Sequence, residues 1–204
     1  MSERIAAVIL AAGQSKRMGQ PKMLLPWGTT TVLGRVVGSF AEAGIEEIVV
    51  VTGAEQSGVA ALVSELGQRY AVRSIHNPEY ATGGMVSSMQ CGLAALAERG
   101  ASIGAALIGL GDQPQMATAT VRAITALRLS SGAALIVPSH GGRRGHPWLL
   151  GRRFWTEIGA MRAPETARDF LNRHADDIRY VNVDTPSIHE DLDTPEQYLR
   201  LRHD

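Results

Sequence analysis

Residues 5–10, IAAVIL, form an unbroken apolar run that stops abruptly at Ala11-Ala12-Gly13. Nothing else in the chain restricts the fold as much. A short apolar run bounded by a glycine turn reads as a strand buried on both faces, and such a strand needs a sheet covered on both sides. Similar runs recur at residues 47–52, 72–75, 104–109, 134–138 and 178–183. Helical patterns separate them, at 32–43, 58–66, 85–97 and 117–129, and later at 154–161, 166–174 and from Pro195 onward. The first helix shows apolar residues at Val32, Val36, Val37 and Phe40, with Gly44 as a stop. Strands alternating with helices predict a three-layer α/β/α architecture with a Rossmann-like, mostly parallel sheet. The 204 residues suit one domain. Residues 1–138 carry this regular alternation; after Pro138 the texture changes, residues 139–151 are rich in Gly, Arg and His, and residues 139–204 read as an insertion or lobe that completes a second binding site.

Ligands of such sheets bind at the carboxyl ends of the strands, and the segment after the first strand is built for an anion. It carries Gly13 and Gly19 together with Lys16, Arg17 and Lys22. Small residues allow close backbone approach, inward-turned N–H groups make an anion cavity, and Arg and Lys suit phosphate oxygens. Two familiar cradles are excluded. Five residues separate Gly13 from Gly19 and Gln20 follows, which is no P-loop. Gln14 and Ser15 follow Gly13, which breaks the dinucleotide fingerprint. Either this is a polyphosphate cradle or it is a basic surface turn.

Other segments carry chemistry with a plainer reading beside it. In IGLGDQP, Asp112 sits at a strand terminus, where a carboxylate suits Mg²⁺ or caps the next helix. In EDLDTPE, Asp191 and Asp193 face one side of an extended segment, or serve as helix-start acids ahead of Thr194-Pro195. Gly142 to Pro147 is a polar turn that either binds an anion or is a basic hairpin. Gly83, Gly84, Ser87 and Ser88 either approach a base and ribose or form a serine-rich helix start. Cys91, the single cysteine, has no general base nearby in sequence and reads as a small core residue.

Zero net charge gives no global attraction for nucleic acid or an anionic membrane, so any phosphate site must be local. One cysteine rules out intramolecular disulfides and CxxC zinc sites. No signal-peptide pattern and no membrane-length apolar run is present, and a cytoplasmic location is expected.

LAAGQSKRMGQPKMLLPWG, GMVSSMQCGL, GLGDQP, GGRRGHPWLLG and DLDTPEQY occur in one order along the chain. Together they resemble MobA-like nucleotidyltransferases, most closely the molybdenum cofactor cytidylyltransferase branch. TARDFLNRH at 166–174 resembles the helix this branch places beside its pterin. The resemblance implies a fold of the nucleotide-diphospho-sugar transferase type and transfer of CMP from CTP to the terminal phosphate of molybdenum-molybdopterin. It implies a nucleotide site of Leu10, Ala11, Ala12, Gly13, Arg17, Lys22, Gly84, Ser87, Ser88 and Asp112, with Arg17, Lys22 and Asp112 catalytic. Gln113, Pro114, Gly145, His146 and Pro147 fall on the acceptor side, and Asp112 and Asp193 hold Mg²⁺. A molybdoenzyme is the implied recipient of the product. The guanylyltransferase branch shows Leu-Ala-Gly-Gly where this chain has Leu10-Ala11-Ala12-Gly13, which favours CTP over GTP. The chain departs from the branch at Val86 and Met89, often serine and leucine there. The alternatives are a GTP-dependent guanylyltransferase, a nucleotidyltransferase acting on another small phosphate, and a cofactor-carrying chaperone.

Overall fold

The computed structural model describes residues 3–100 and 102–202. In chain order the strands are β1 (Arg4–Ala11), β2 (Pro26–Trp27), β3 (Thr30–Thr31), β4 (Ile48–Thr52), β5 (Val72–His76), β6 (Ile103–Leu110), β7 (Leu135–His140), β8 (Arg143–Arg144), β9 (Trp148–Gly151) and β10 (Ile178–Asn182). The helices are α1 (Val32–Glu42), α2 (Gln56–Leu66), α3 (Gly84–Ala97), α4 (Thr118–Ser131), α5 (Trp155–Ala160), α6 (Ala167–Arg173) and α7 (Pro195–Leu201). The main sheet runs β10-β7-β9-β6-β1-β4-β5, with β8 hairpinned onto β7. Pairing is parallel for β1 with β4 and β6, β4 with β5, and β10 with β7. All six strands expected from the apolar runs are present.

One strand of the path was not expected. Residues 139–151, rich in Gly, Arg and His, read as the polar start of the later lobe, yet β9 lies antiparallel between β6 and β7. Its residues, Trp148, Leu149, Leu150 and Gly151, are all buried. Four residues are too few for periodicity to reveal, and the preceding Gly-Arg-Arg-Gly-His-Pro masks them. β9 and β10, both from the later part of the chain, are thus strands of the same sheet as β1.

Side chains alternate across β1 and fill two cores. Ala6, Val8 and Leu10 face the layer containing α3, α5 and α6. Ala7, Ile9 and Ala11 face the layer containing α1, α2 and α4. This is the period-2 geometry of a strand covered on both sides. A third, smaller cluster gathers Met18, Leu25, Val32, Leu192 and Tyr198. It joins the segment after β1 to the C-terminal segment. Helices α1, α6 and α7 begin where a side chain satisfies a free N–H group. Thr31 accepts from the Gly34 amide, while Thr166 with Asp169 and Thr194 with Gln197 form capping boxes.

Helix α3 rests directly on β1 because Gly92 has no side chain. A Cβ there would run into the methyl groups of Val8 and Val51. Gly92→Val is expected to lower the unfolding free energy by about 1–3 kcal/mol through overpacking. The urea midpoint measures this, and an unchanged midpoint would contradict the close contact.

Candidate functional site

The segment leaving β1 closes on itself before it reaches the core again. Ser15 adopts φ 49° and Gly19 φ 71°. The Ser15 carbonyl accepts from the amides of Met18 (3.1 Å) and Gly19 (3.0 Å). Met18 anchors the turn in the third apolar cluster, leaving Lys16 and Arg17 exposed. The Lys22 amide then donates to Ser15 Oγ (3.3 Å). This bond starts a 3-10 turn over Lys22–Leu24 whose first side chain points back under the loop.

Lys22 is the centre of the site. It is 7% exposed, and its ammonium donates to Asp112 Oδ2 and, at 3.3 Å, to Asp193 Oδ1. The Arg17 guanidinium reaches the other oxygen of Asp193 at 2.9 Å. An ammonium buried this far is tolerable only when paired with opposite charge. Asp112 follows β6 and Asp193 precedes α7, so chain positions 22, 112 and 193 meet at the carboxyl ends of parallel strands. Neither Asp112 nor Asp193 is an N-cap. Helix α4 begins at Thr118 with Ala117 as its N-cap, away from Asp112. The N-cap of α7 is Thr194, and the Asp193 carboxylate is turned to the two cations.

Asp191 and Asp193 flank Leu192, which is fully buried in the third cluster. Leu192 N–H donates to the Asp112 carbonyl (3.0 Å), and Gln113 Nε2 donates to Asp191 Oδ1 (2.8 Å). Burial, reinforced by the charge of Asp112, pushes the Asp191 carboxyl above its ordinary value, against the Gln113 hydrogen bond. Asp112 and Asp193 converge on one cation, an arrangement that suits Mg²⁺, which takes one or two protein carboxylates plus substrate phosphates. Among the described residues no group of three or more His, Cys, Asp or Glu is arranged to enclose a metal. Water or phosphate oxygens would complete the shell of a metal held by these two acids.

A cleft of about 360 Å³ opens beside these charges. Leu10, Ala12, Gly13, Arg17, Lys22, Gly84, Ser88 and Asp112 line it, as expected for a nucleotide site. Two expected residues do not. The Ala11 side chain points into the opposite core, and Ser87 is buried with its hydroxyl donating to the Gly84 carbonyl. The alternation along β1 and the turn of α3 decide both. Asn77 organises this wall: its Nδ2 donates to Ser87 Oγ (2.9 Å) and Ser88 Oγ (3.0 Å), and its amide donates to the Thr52 carbonyl. Tyr80, Met85 and Asp191 also line the cleft. Sequence reasoning passed over Tyr80 and Met85, although both flank the Gly83-Gly84 pair.

The acceptor-side residues pack against the 186–191 segment. Gly145 N–H donates to the Pro138 carbonyl (2.9 Å), and His146 N–H donates to the Ile188 carbonyl (3.1 Å). The His146–Pro147 peptide is cis. Gln113 and Pro114 are buried, and none of these five residues belongs to the lining of the cleft. The His146 ring stacks on Trp148 with centroids 4.5 Å apart and planes 15° apart. Its Nε2 is buried without a partner among the described residues. Burial first, and the nearby His189 second, lower its pKa from 6.5 to about 4. Cys91 donates weakly to the His76 carbonyl, and burial raises its thiol pKa, as suits a packing residue. No helix among the described residues is long and apolar enough to cross a membrane.

Comparison with known proteins matches the chain to a family. The MobA-like NTP transferase domain matches residues 7–178. The molybdenum cofactor cytidylyltransferase of Escherichia coli K12 is 31% identical over 202 residues, covering 97% of this chain and 95% of its own. The nicotine blue oxidoreductase of Paenarthrobacter nicotinovorans is 30% identical, covering 97% and 96%. The crystal structure of Rv0371c from Mycobacterium tuberculosis H37Rv superposes with a TM-score of 0.81 at 29% identity, covering 99% and 98% of the two chains. A manganese complex of Rv0371c gives 0.77 at 27% identity, covering 99% of each chain. The chain belongs to the MobA-like NTP transferase family, and its fold is of the nucleotide-diphospho-sugar transferase type.

The buried His146 has a pH signature. Its folded-state pKa lies below that of the unfolded chain, so the unfolded state takes up the proton first. The stability from a neutral His146 is complete above pH 6.5 and falls as pH drops toward about 4. His146→Phe keeps an aromatic ring against Trp148 and cannot titrate. Urea unfolding at pH 7 and pH 5 should show the variant losing about 1–2 kcal/mol less than wild type over that interval. Equal losses would contradict a buried neutral imidazole.

Proposed function

We propose that this MobA-like transferase joins CMP from CTP to the terminal phosphate of molybdenum-molybdopterin, forming a cytosine dinucleotide cofactor and releasing pyrophosphate. The observation that carries this reading is the meeting of Lys22, Asp112 and Asp193 beside the phosphate cradle. Support for cytosine comes from Ala12 before Gly13, and from the full-length similarity to the Escherichia coli cytidylyltransferase.

The chain's own groups suit such a transfer. The triphosphate lies along the 13–17 turn, where Arg17 and Lys22 offset its charge. The base enters the cleft between Ala12 and the start of α3, with Tyr80 and Met85 as its walls. The acceptor's terminal phosphate approaches past Asp191, and residues 145–147 shape that side. An acceptor phosphate is already anionic at neutral pH, so no strong general base is needed. A bond forms between its oxygen and the α-phosphorus as the bond to pyrophosphate breaks. Positioning and charge neutralisation then account for the rate. Asp112 and Asp193 would hold Mg²⁺, which neutralises phosphate charge when bound.

Three measurements test this. Lys22→Ala and Asp112→Asn should each lower pyrophosphate release by about 10²–10³-fold with the fold retained; wild-type turnover in either would remove the proposed centre. Asp193→Asn should raise the Mg²⁺ concentration needed for half-maximal rate. Turnover with CTP, GTP, ATP and UTP beside the pterin acceptor should rank CTP first. A preference for GTP would assign a guanylyltransferase. Binding of the pterin acceptor without pyrophosphate release would assign a carrier.

A further inference from the structure

Gln113 sits beside the reacting centre but out of reach of any substrate. It is 2% exposed, and its Nε2 donates both to Asp191 Oδ1 at 2.8 Å and to the Ile188 carbonyl at 3.3 Å. Its Oε1 has no partner among the described residues. Two acceptors on one side settle which end of the amide faces them. The amide therefore ties the segment carrying Asp112 to the segment carrying Asp193. The Leu192 amide, donating to the Asp112 carbonyl, makes a second tie one residue away. Leu192 itself is buried on the opposite face of the strip.

Mutual repulsion drives apart two carboxylates carried on separate segments. Lys22 opposes this while its ammonium lies between them, but the same ammonium is needed at the phosphates. Something else must hold the two acids at a fixed separation. We propose that Gln113 and Asp191 are a positioning pair that aims Asp112 and Asp193 at a divalent cation, with Asp191 acting through its hydrogen bond to Gln113 rather than as a ligand. This rests on the nucleotidyl-transfer reading above. It assigns Gln113, first expected to touch the acceptor, to the alignment of the acids.

The test reads Mn²⁺ affinity from the EPR signal of the free ion, with CTP present and no acceptor, after subtracting the Mn²⁺ held by the same CTP in a protein-free titration, so that turnover plays no part. Gln113→Met keeps the buried volume and removes both donors; Asp191→Ala removes the acceptor. Each should weaken Mn²⁺ binding about tenfold, as loss of a partner that orients a ligand commonly does. The double variant should be no weaker than the worse single one, since both remove one interaction. Asp191→Asn still presents an oxygen to Gln113 and should stay within about threefold of wild type. If Asp191→Asn binds as poorly as Asp191→Ala, Asp191 is a direct ligand and the proposal is overturned. Wild-type affinity in Gln113→Met overturns it equally. Absence of Mn²⁺ binding by wild type would overturn both this and the transfer reading. Tight binding without pyrophosphate release once acceptor is added would end the transfer reading alone.

Discussion

A buried ammonium between two carboxylates decides where the rest of the cleft must lie. Lys22 reaches Asp112 and Asp193 from a loop that leaves the first strand, while the acids come from the end of β6 and from the approach to the last helix. Placing three such distant positions together requires β1 and β6 to be adjacent and parallel, as they are. It also requires the C-terminal segment to return across the sheet, which Leu192 and its backbone bond to Asp112 secure. Without ligand the cluster is self-neutralised. Phosphate oxygens and a metal would each take one side of that pairing, so occupancy by one is expected to ease entry of the other, reciprocally.

Much of this was legible in the amino-acid sequence, because its signals are local. Six consecutive apolar residues before Gly13 announce a strand with both faces covered, and the alternation of Ala6, Val8 and Leu10 with Ala7, Ile9 and Ala11 bears this out. Asp191-Leu192-Asp193 was likewise readable as an extended strip with its acids on one side, and the buried Leu192 on the other side agrees. What escaped were features set by long-range pairing. β9 is a strand only because β6 and β7 leave a gap of its width. The burial of Gln113 depends on residues 188 and 191, some 75 positions away. Tyr80 and Met85 become cleft walls only through the path of the loop before α3.

The family relation is consistent with a scaffold whose chemistry is set by few groups. A cytidylyltransferase and an enzyme named as an oxidoreductase share nearly the same degree of identity with this chain along nearly its whole length. Fold alone cannot separate such activities. The paired charges of Lys22, Arg17, Asp112 and Asp193 suit a polyphosphate and a metal, and they add to the family relation in support of the transfer proposed above.

The small apolar cluster of Met18, Leu25, Val32, Leu192 and Tyr198 lies apart from the two large cores and holds parts of both the cradle and the acid strip. Tyr198 further ties α7 to the Pro26 carbonyl through its hydroxyl. Opening of this patch would release Arg17 and Asp193 together while the central sheet stays intact. Such small units open at lower free energy than the global core. On warming, the chain should therefore become a folded but silent protein before it becomes an unfolded one, with the tail acting as the fuse.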